Sequence, residues 1–298
     1  MSEATSLIHA GSGRWNERWL VELRDGSRVE CVLYRGDTLC VSSQVGCAVR
    51  CAFCASGREG LGRGLSPDEL IGQLEAVRAL GHAPARVTVS GVGEPLHNHA
   101  AVCEFLSYCR SQRLALSLTS SGGPLPRLRE WLHAPHNGLT LSIHAGSEAC
   151  RSRLLPHAPP LAALFEVLRE ELPRMTQRRR RKTALAYLLM AGENDAPEEL
   201  DEFCARAVPL GLRVHLYDYN QLPEGGFRGA SRERYEAVYA QLSAAGLRVS
   251  MSSQARLESN GGCGTLVALR STPLAAADRG DVARHPAREP AAGAGPAR

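Results

Sequence analysis

Short apolar runs with high β propensity alternate along this chain with longer segments in which apolar residues recur at helical spacing. The predicted strands are residues 41–43, 86–90, 114–118, 139–143, 184–189, 213–217 and 248–251. The predicted helices are residues 66–80, 98–112, 161–172, 197–209 and 231–245. Repeated strand-then-helix units imply a parallel sheet with right-handed crossovers. We therefore predict an α/β fold, a partial (β/α)6-type barrel rather than a long open sheet.

The helix signal is clearest at residues 66–80. Ser66 stands at the N-cap position, Pro67 takes the first helical position, and Glu69 completes a capping box. The apolar residues that follow keep a helical period. This segment is the expected first helix of the barrel.

The two ends of the chain differ from this alternating centre. Residues 1–39 form a predicted small β-rich extension, in which WLVELRDGSRVECVLY alternates around an Asp25–Gly26 turn, a hairpin signal. Residues 271–298 are rich in Ala, Pro, Gly and Arg without periodicity, and we expect them to be disordered. The predicted core domain is therefore residues 40–270.

Composition limits the class of protein. The 298 residues are 44% hydrophobic and 22% charged, as in an ordinary globular protein. No apolar run approaches the roughly 20 residues that span a bilayer, and the N-terminal sequence lacks the apolar core of a signal peptide. We expect a cytoplasmic protein with no membrane partner. Its ten cysteines then bind metal or do chemistry rather than form a structural disulfide network.

Positive charge is concentrated in one run. The net charge is only +4, but residues 178–182 read RRRRK. Such a run is either a solvated loop or a contact for a phosphate backbone, which Arg and Lys attract without reading sequence. Aromatic content of 5% argues against an extended platform for base stacking.

The stretch CVSSQVGCAVRCAFCASG, residues 40–57, holds four of the ten cysteines. Cys47, Cys51 and Cys54 follow a C-x3-C-x2-C spacing, whereas Cys40 lies seven residues before them. Zinc sites usually pair two C-x2-C knuckles, and no second knuckle is nearby. Three thiolates suit a [4Fe–4S] cluster that leaves one iron open for a substrate. Zinc and inert packed cysteines are the alternatives.

Polar residues follow four of the predicted strands. Glu94 follows 86–90 within a Gly-rich turn that includes Gly93, Thr119 follows 114–118, His144 follows 139–143, and Asn220 follows 213–217. In a β/α barrel the active groups gather at the carboxyl ends of the strands. We therefore expect these side chains to share one site with the cysteine cluster.

At these residues the chain resembles the radical S-adenosylmethionine (SAM) superfamily. The C-x3-C-x2-C loop after the first barrel strand, with Phe53 before the last cysteine, is similar to the signature loop of that superfamily. The resemblance implies one [4Fe–4S] cluster on Cys47, Cys51 and Cys54, whose open iron chelates the amino and carboxylate groups of SAM. Reduction of the bound SAM then releases a 5′-deoxyadenosyl radical, which requires an electron donor such as flavodoxin or ferredoxin.

A narrower resemblance is to the adenine methyltransferase branch of that superfamily. It rests on TLCVSSQVGC (38–47), GEPL (93–96), SIHA (142–145) and the loop at Asn220. This branch methylates carbon-2, or in a related group carbon-8, of an adenosine in ribosomal or transfer RNA. The resemblance implies that seven residues bind SAM: Gly93, Glu94, Thr119, Ser142, Ile143, His144 and Asn220. At Thr119 the branch usually has serine.

The same resemblance implies three catalytic residues. Cys263, in SNGGCGTL, matches the methyl-carrying cysteine, Cys40 matches its partner cysteine, and Glu30 matches the proton acceptor. A ring carbon of adenine is electrophilic, so a nucleophilic thiolate takes the methyl group first. A second SAM yields the radical that activates this methyl for addition to the base. Cys40 then attacks the sulfur of Cys263, which releases the product and leaves a transient disulfide.

Full-length members of this branch carry a helical N-terminal domain that helps to grip RNA. Because only about 39 residues precede Cys40, we expect a short, monomeric member without that domain, in which the RRRRK run helps to hold RNA. One alternative is a radical SAM enzyme that acts on a small molecule or a protein and needs neither Cys40 nor Cys263. Another is a non-enzymatic, metal-containing RNA-binding module.

Overall fold

The structure, a computed structural model, describes residues 6–222, 226–258 and 265–267. Its strands, in chain order, are β1 (Ser6–Ser12), β2 (Asn16–Glu22), β3 (Arg28–Tyr34), β4 (Thr38–Val41), β5 (Gln44–Gly46), β6 (Leu61–Gly64), β7 (Arg86–Val89), β8 (Ala115–Ser120), β9 (Gly138–Ser142), β10 (Thr183–Leu189), β11 (Arg213–Asp218) and β12 (Arg248–Met251). Its helices are α1 (Pro67–Ala79), α2 (His99–Ser111), α3 (Leu125–His133), α4 (Glu148–Leu154), α5 (Leu161–Glu171), α6 (Gln177–Arg180), α7 (Pro197–Ala207), α8 (Arg232–Ala244) and α9 (Gln254–Leu257).

One sheet dominates the architecture. Its strand order is β1-β2-β3-β4-β7-β8-β9-β10-β11-β12. From β4 onward every neighbouring pair is parallel, and each crossover carries at least one helix. The predicted α/β fold with a parallel barrel-type sheet is therefore confirmed, and the carboxyl ends of seven strands lie along one edge of it.

The N-terminal strands extend this sheet rather than packing apart from it. β1, β2 and β3 pair antiparallel in turn, and β3 pairs antiparallel with β4. The predicted hairpin at Asp25–Gly26 is confirmed, since the turn between β2 and β3 closes with a 2.8 Å bond from the Leu23 amide to the Ser27 carbonyl. The domain boundary at residue 39 stays a prediction. The predicted disordered tail, 271–298, lies outside the described residues.

The first parallel strand ends earlier than predicted, because the backbone at Ser42 bonds to a helix instead of to another strand. Gln73 of α1 is fully buried, and its amide accepts from the Ser42 amide at 2.9 Å and donates to the Ser42 carbonyl at 3.0 Å. Helices α3, α4, α6 and α9 were not predicted. Each spans at most about two and a half turns, which leaves little room for a periodic pattern. Among these four, only α4 and α6 have a side-chain cap, from Ser147 and Thr176.

A two-stranded ribbon, β5 with β6, stands apart from the main sheet. Arg63 of β6 connects it to two other parts of the fold, through Asp25 in the hairpin turn at 2.7 Å and Glu69 of α1 at 2.8 Å. The hydrogen bond from Arg63 lowers the pKa of Asp25 to about 2. Glu69 also completes the capping box of α1 with Ser66, as the sequence predicts. The ribbon is thereby fixed at the base of the cysteine loop.

Among the described residues, no helix combines the length and the apolarity needed to cross a bilayer.

We predict that Gln73→Met destabilises the protein. Methionine has a similar volume but leaves the Ser42 amide and carbonyl buried without partners, so the free energy of unfolding should fall by about 1–3 kcal/mol. Urea unfolding measures this. Gln112→Met, at an exposed position, is the matched control and should shift the value by less than about 0.5 kcal/mol. Equal effects of the two substitutions would contradict the role assigned to Gln73.

Candidate active site

A cavity of about 990 Å³, its open mouth included, lies at the carboxyl ends of the parallel strands. Most of the site residues predicted from the sequence line it: Cys47, Cys51, Cys54, Gly93, Glu94, Thr119, Ser142 and His144. The loops that carry these residues are far apart in the chain and meet only because the strands are parallel. The prediction that they share one site is therefore consistent with the geometry.

The cysteine loop is closed at its base by the ribbon of β5 and β6. The Cys47 amide bonds to the Gly60 carbonyl at 3.1 Å. Gly46, just before Cys47, has φ +79°, and a Cβ there would collide with the same carbonyl. Glycine is needed at this position because a side chain would force the two sides of the loop apart.

Burial and mutual repulsion disfavour charge on these thiols. Burial raises the pKa of Cys47 to about 12 and that of Cys51 well above its ordinary value. The charges of Cys54 and Glu94 raise both pKa values further, and that of Cys47 adds to the shift at Cys51. The backbone amides of Val49 and Arg50 donate to the Cys47 sulfur and oppose the shift there. A bound cationic group would relieve the repulsion, since thiols release their protons and bind metal as thiolates.

The spacing of the cysteines suits a multi-iron cluster. No set of three or more His, Cys, Asp or Glu side chains within residues 6–222, 226–258 and 265–267 is arranged to hold a single metal ion. Thiolates that bind a cluster need not converge on one ion, and three of them around one cavity fit such a group. The nine cysteines of the described part form no disulfide with one another.

Glu94 is buried and has several donors. Its carboxylate accepts from the Ser120 hydroxyl at 2.6 Å, from the Ser121 amide and hydroxyl at 2.7 and 2.8 Å, and from the Leu96 amide at 3.1 Å. Its own amide donates to the Gln44 side chain at 2.8 Å. Glu94 therefore connects the ends of β7 and β8 with the start of the cysteine loop.

Arg151 of α4 is a site residue that the sequence did not reveal. It is 1% exposed, and its guanidinium donates to the carbonyls of Ser121, Ser142 and Ile143 at 2.5–2.8 Å and of Pro159 at 3.3 Å. Burial lowers its pKa to about 10, so it stays charged near neutral pH. The only sequence signal is its place one turn after Ser147, the cap of a helix too short to predict.

His144 follows β9 with φ +57°, an uncommon conformation for a residue with a side chain. Its Nδ1 accepts from the Leu188 amide at 2.9 Å, so its ring proton is on Nε2. The ring packs edge-on against Phe53 of the cysteine loop. Burial and the charge of Arg151 lower the pKa of His144 to about 3, which keeps it neutral near pH 7.

Two of the predicted SAM-binding residues do not line the cavity. Ile143 is fully buried in the core, and its carbonyl accepts from Arg151. Asn220 donates to the Arg256 carbonyl at 2.9 Å, so it positions α9. Arg256 does line the cavity, with its guanidinium 4.4 Å from the centre of the Tyr217 ring.

Cys263 lies outside the described residues, but the segment that follows it is described. The Leu266 carbonyl accepts from the Ser56 hydroxyl at 2.6 Å, and the Val267 amide donates to Glu30 at 2.7 Å. Leu266 lines the cavity and belongs to one small apolar cluster with Cys40. Residues 265–267, which we name the C-terminal tether, thus connect the cysteine loop with Cys40 and Glu30.

Neither Cys40 nor Glu30 lines the cavity itself. Cys40 is buried on β4, with its sulfur 3.2 Å from the Ser90 hydroxyl, and Ser90 does line the cavity. Glu30 is buried on β3 and lies 3.6 Å from Arg18. Burial raises the pKa of the Glu30 carboxyl, against the opposing effects of Val267 and Arg18.

Comparisons with known proteins agree with this geometry. The family model described as the Radical SAM superfamily matches residues 41–204. A probable dual-specificity RNA methyltransferase RlmN from Parasynechococcus marenigrum is 35% identical over 263 residues, which cover 83% of this chain and 75% of that protein. The dual-specificity RNA methyltransferase RlmN of a Marinomonas species is 32% identical and covers 84% of this chain and 72% of that protein.

A solved structure is also similar. The crystal structure of a radical SAM methyltransferase from Sphaerobacter thermophilus superposes with a TM-score of 0.80 at 26% identity, covering 88% of this chain and 81% of that one.

We predict that Arg151→Lys lowers the free energy of unfolding by about 2–4 kcal/mol, because an ammonium cannot reach all the carbonyls that the planar guanidinium bonds. Urea unfolding under anaerobic conditions measures this. The control is Arg153→Lys on the same helix, where the arginine is half-exposed and paired with Glu193; it should cost less than about 1 kcal/mol. A loss at Arg151 no larger than the control's would show that the carbonyl contacts are dispensable.

Proposed function

Because the chain belongs to the radical SAM superfamily, and within it to the family of the dual-specificity RNA methyltransferases RlmN, we propose that it methylates a ring carbon of an adenosine in RNA through a methyl-cysteine intermediate. The family uses a [4Fe–4S] cluster and SAM. In this chain Cys47, Cys51 and Cys54 would hold the cluster, which supplies the electron that cleaves SAM to a carbon radical.

One observation supports the proposal most strongly. Leu266 of the C-terminal tether, three residues after Cys263, lines the same cavity as the three cluster cysteines. It also packs against Cys40. Residues three apart in sequence are at most about 11 Å apart at Cα. A methyl group carried three residues before Leu266 could therefore reach both groups with which the two-step chemistry requires it to react.

Binding of SAM would involve the residues at the cavity mouth. Its charged amino and carboxylate groups need hydrogen-bonding partners in a mostly apolar site, and Thr119, Ser142 and His144 offer them. Since both oxygens of Glu94 already accept from protein groups, an amino group of SAM would take the place of a hydroxyl donor, that of Ser120 or Ser121. Gly93, with φ +112°, has no room for a side chain against Ser43 and Gln44.

The remaining groups supply the acid–base and thiol steps. Cys263 would accept the first methyl, and Cys40 would later attack its sulfur to release the product and form a transient disulfide. Glu30 would accept the proton from the adenine ring, and its raised pKa strengthens it as a base. Because its carboxylate holds the Val267 amide, Glu30 also sets where the C-terminal tether runs.

The proposal includes the partners that this chemistry needs. The reduction requires a one-electron donor such as flavodoxin or ferredoxin, and the RNA is ribosomal or transfer RNA. We further propose that the protein acts as a monomer in the cytoplasm, where the thiols of its reactive cysteines stay reduced.

The decisive experiment is anaerobic reconstitution with SAM labelled in its methyl group, followed by mass spectrometry of the Cys263 peptide and of added RNA. We expect label first on Cys263 and then on an adenosine. Cys263→Ala should abolish both. Cys40→Ala should keep methylation of Cys263 but accumulate a covalent link between Cys263 and RNA, because the thiol that resolves it is missing.

Cys103→Ala, which removes a half-buried thiol of α2 outside the cavity, is the control and should behave as the parent protein. If the parent modifies RNA while Cys263 never carries label, the methyl-cysteine route is wrong. If labelled SAM is cleaved but no RNA is modified, the substrate is not RNA.

A further inference from the structure

A second cavity lies at the opposite ends of the strands from the active-site cavity. It is formed where β8, β9 and β10 begin, and we name it the basic cavity. Five cationic side chains contribute to its lining: Arg110, Arg113, Arg178, Arg179 and Lys182. The remaining lining residues are Leu114, Ala115, Pro135, His136, Asn137 and Thr176, and no carboxylate is among them.

No described carboxylate balances the positive charge in the basic cavity. None of its five cations has an ion-pair partner in the part of the chain that the structure describes. The pKa of Lys182 is lowered by burial and then by the charges of Arg178 and Arg179. These cations therefore repel one another unless an anion binds between them.

His136 is the second sign of a ligand. It is 5% exposed, its ring stacks on Trp131 at 5.6 Å, and neither ring nitrogen has a hydrogen bond of good geometry within the described residues, although the Gly138 backbone is close enough to oppose the lowering of its pKa. Burial and the charges of Arg179 and Lys182 lower its pKa to about 4, so near pH 7 it carries one N–H donor. A buried polar group without a partner costs stability, so the presence of His136 beside five cations points to an anion as its partner.

We propose that the basic cavity binds phosphate groups of the RNA backbone, with Arg178, Arg179 and Lys182 as the main cationic contacts and His136 as a buried donor. This deepens the proposed function, on which it rests for the identity of the RNA as substrate. Guanidinium groups suit phosphate oxygens because they can donate two parallel hydrogen bonds.

One RNA can reach both cavities. Ala115 lines the basic cavity and Thr119 lines the active-site cavity, and both are on β8. Four residues of a parallel strand span roughly 13 Å. A double-stranded RNA-binding domain contacts about 16 base pairs, a length well above this separation, so a substrate whose adenosine enters the active site can place a backbone segment at the other end of the strands.

The RRRRK run itself provides the matched test. Arg178 and Arg179 line the basic cavity, whereas Arg180 and Arg181 do not; of the four, Arg179 is half-buried and the other three are exposed. The double variants Arg178→Gln/Arg179→Gln and Arg180→Gln/Arg181→Gln remove the same charge from the same run. Binding of a fluorescent RNA hairpin of about 16 base pairs to the reconstituted holoprotein is measured by anisotropy at several salt concentrations.

We expect the first double variant to bind RNA several-fold more weakly and to lower the slope of log K against log salt concentration by about two. The second should change the slope by less than half as much. Equal effects would mean that the run acts as diffuse charge, and this would overturn the proposal. A second result would also overturn it. In the first double variant, the phosphate-dependent shift of the His136 NMR signal would be lost, which reports lost binding of inorganic phosphate, while RNA binding stayed unchanged.

Binding needs no chemistry, so the two proposals fail separately. A parent protein that methylates RNA while both double variants bind it equally would refute the basic cavity alone. If the two double variants differ in RNA binding but the parent protein never modifies RNA, the methyltransferase proposal alone is refuted.

His136→Phe separates a binding role from a structural one. Phenylalanine keeps a planar ring against Trp131 and removes the unpartnered nitrogens. We expect RNA affinity to fall several-fold while the urea midpoint stays the same or rises. A drop in the urea midpoint with unchanged affinity would show that His136 serves the fold and would remove it from the site.

Discussion

The active-site end of this protein depends on one chain of buried polar contacts that crosses the strand ends. It runs from the Gln44 side chain to the Glu94 amide, from the Glu94 carboxylate to Ser121, and from the Ser121 carbonyl to Arg151. The guanidinium then holds the carbonyls at the end of β9. The buried Glu94 carboxylate and the buried Arg151 guanidinium thus both bond to Ser121. Their charges offset each other although the two groups form no direct ion pair. These contacts hold the loops after three strands in fixed positions relative to one another, with neither a disulfide nor strand pairing between the loops.

Much of this arrangement could be predicted from local sequence. Glu94, Thr119 and His144 each follow a run of strand-forming residues, and parallel strands bring such positions together. The cysteine spacing lies within eight residues, so it can be recognised even where strand boundaries are predicted wrongly. The features that could be predicted were therefore either local in sequence or required by the parallel topology.

The rest depends on contacts between distant segments. Arg151 is an unremarkable arginine in a short helix, and only its enclosure by the carbonyls of three loops makes it important. Asn220 bonds to the backbone of α9, a contact that its place after β11 does not indicate. The basic cavity unites residues near 110, 136 and 180, which adjoin one another only because β8, β9 and β10 are neighbours. No pattern within any one of these segments indicates the other two.

The ribbon beneath the cysteine loop has a consequence for cooperativity. Its strands, β5 and β6, form backbone ladders with each other and not with the main sheet. Arg63 holds it in place, and so do a backbone bond from the Gln44 amide to the Val92 carbonyl and the burial of Val45 and Phe53 in the main core. Segments open locally at a low free energy only where few buried contacts attach them. Opening of the cysteine loop is therefore coupled to the barrel core, so an inorganic cofactor would be assembled in a loop that the core already holds.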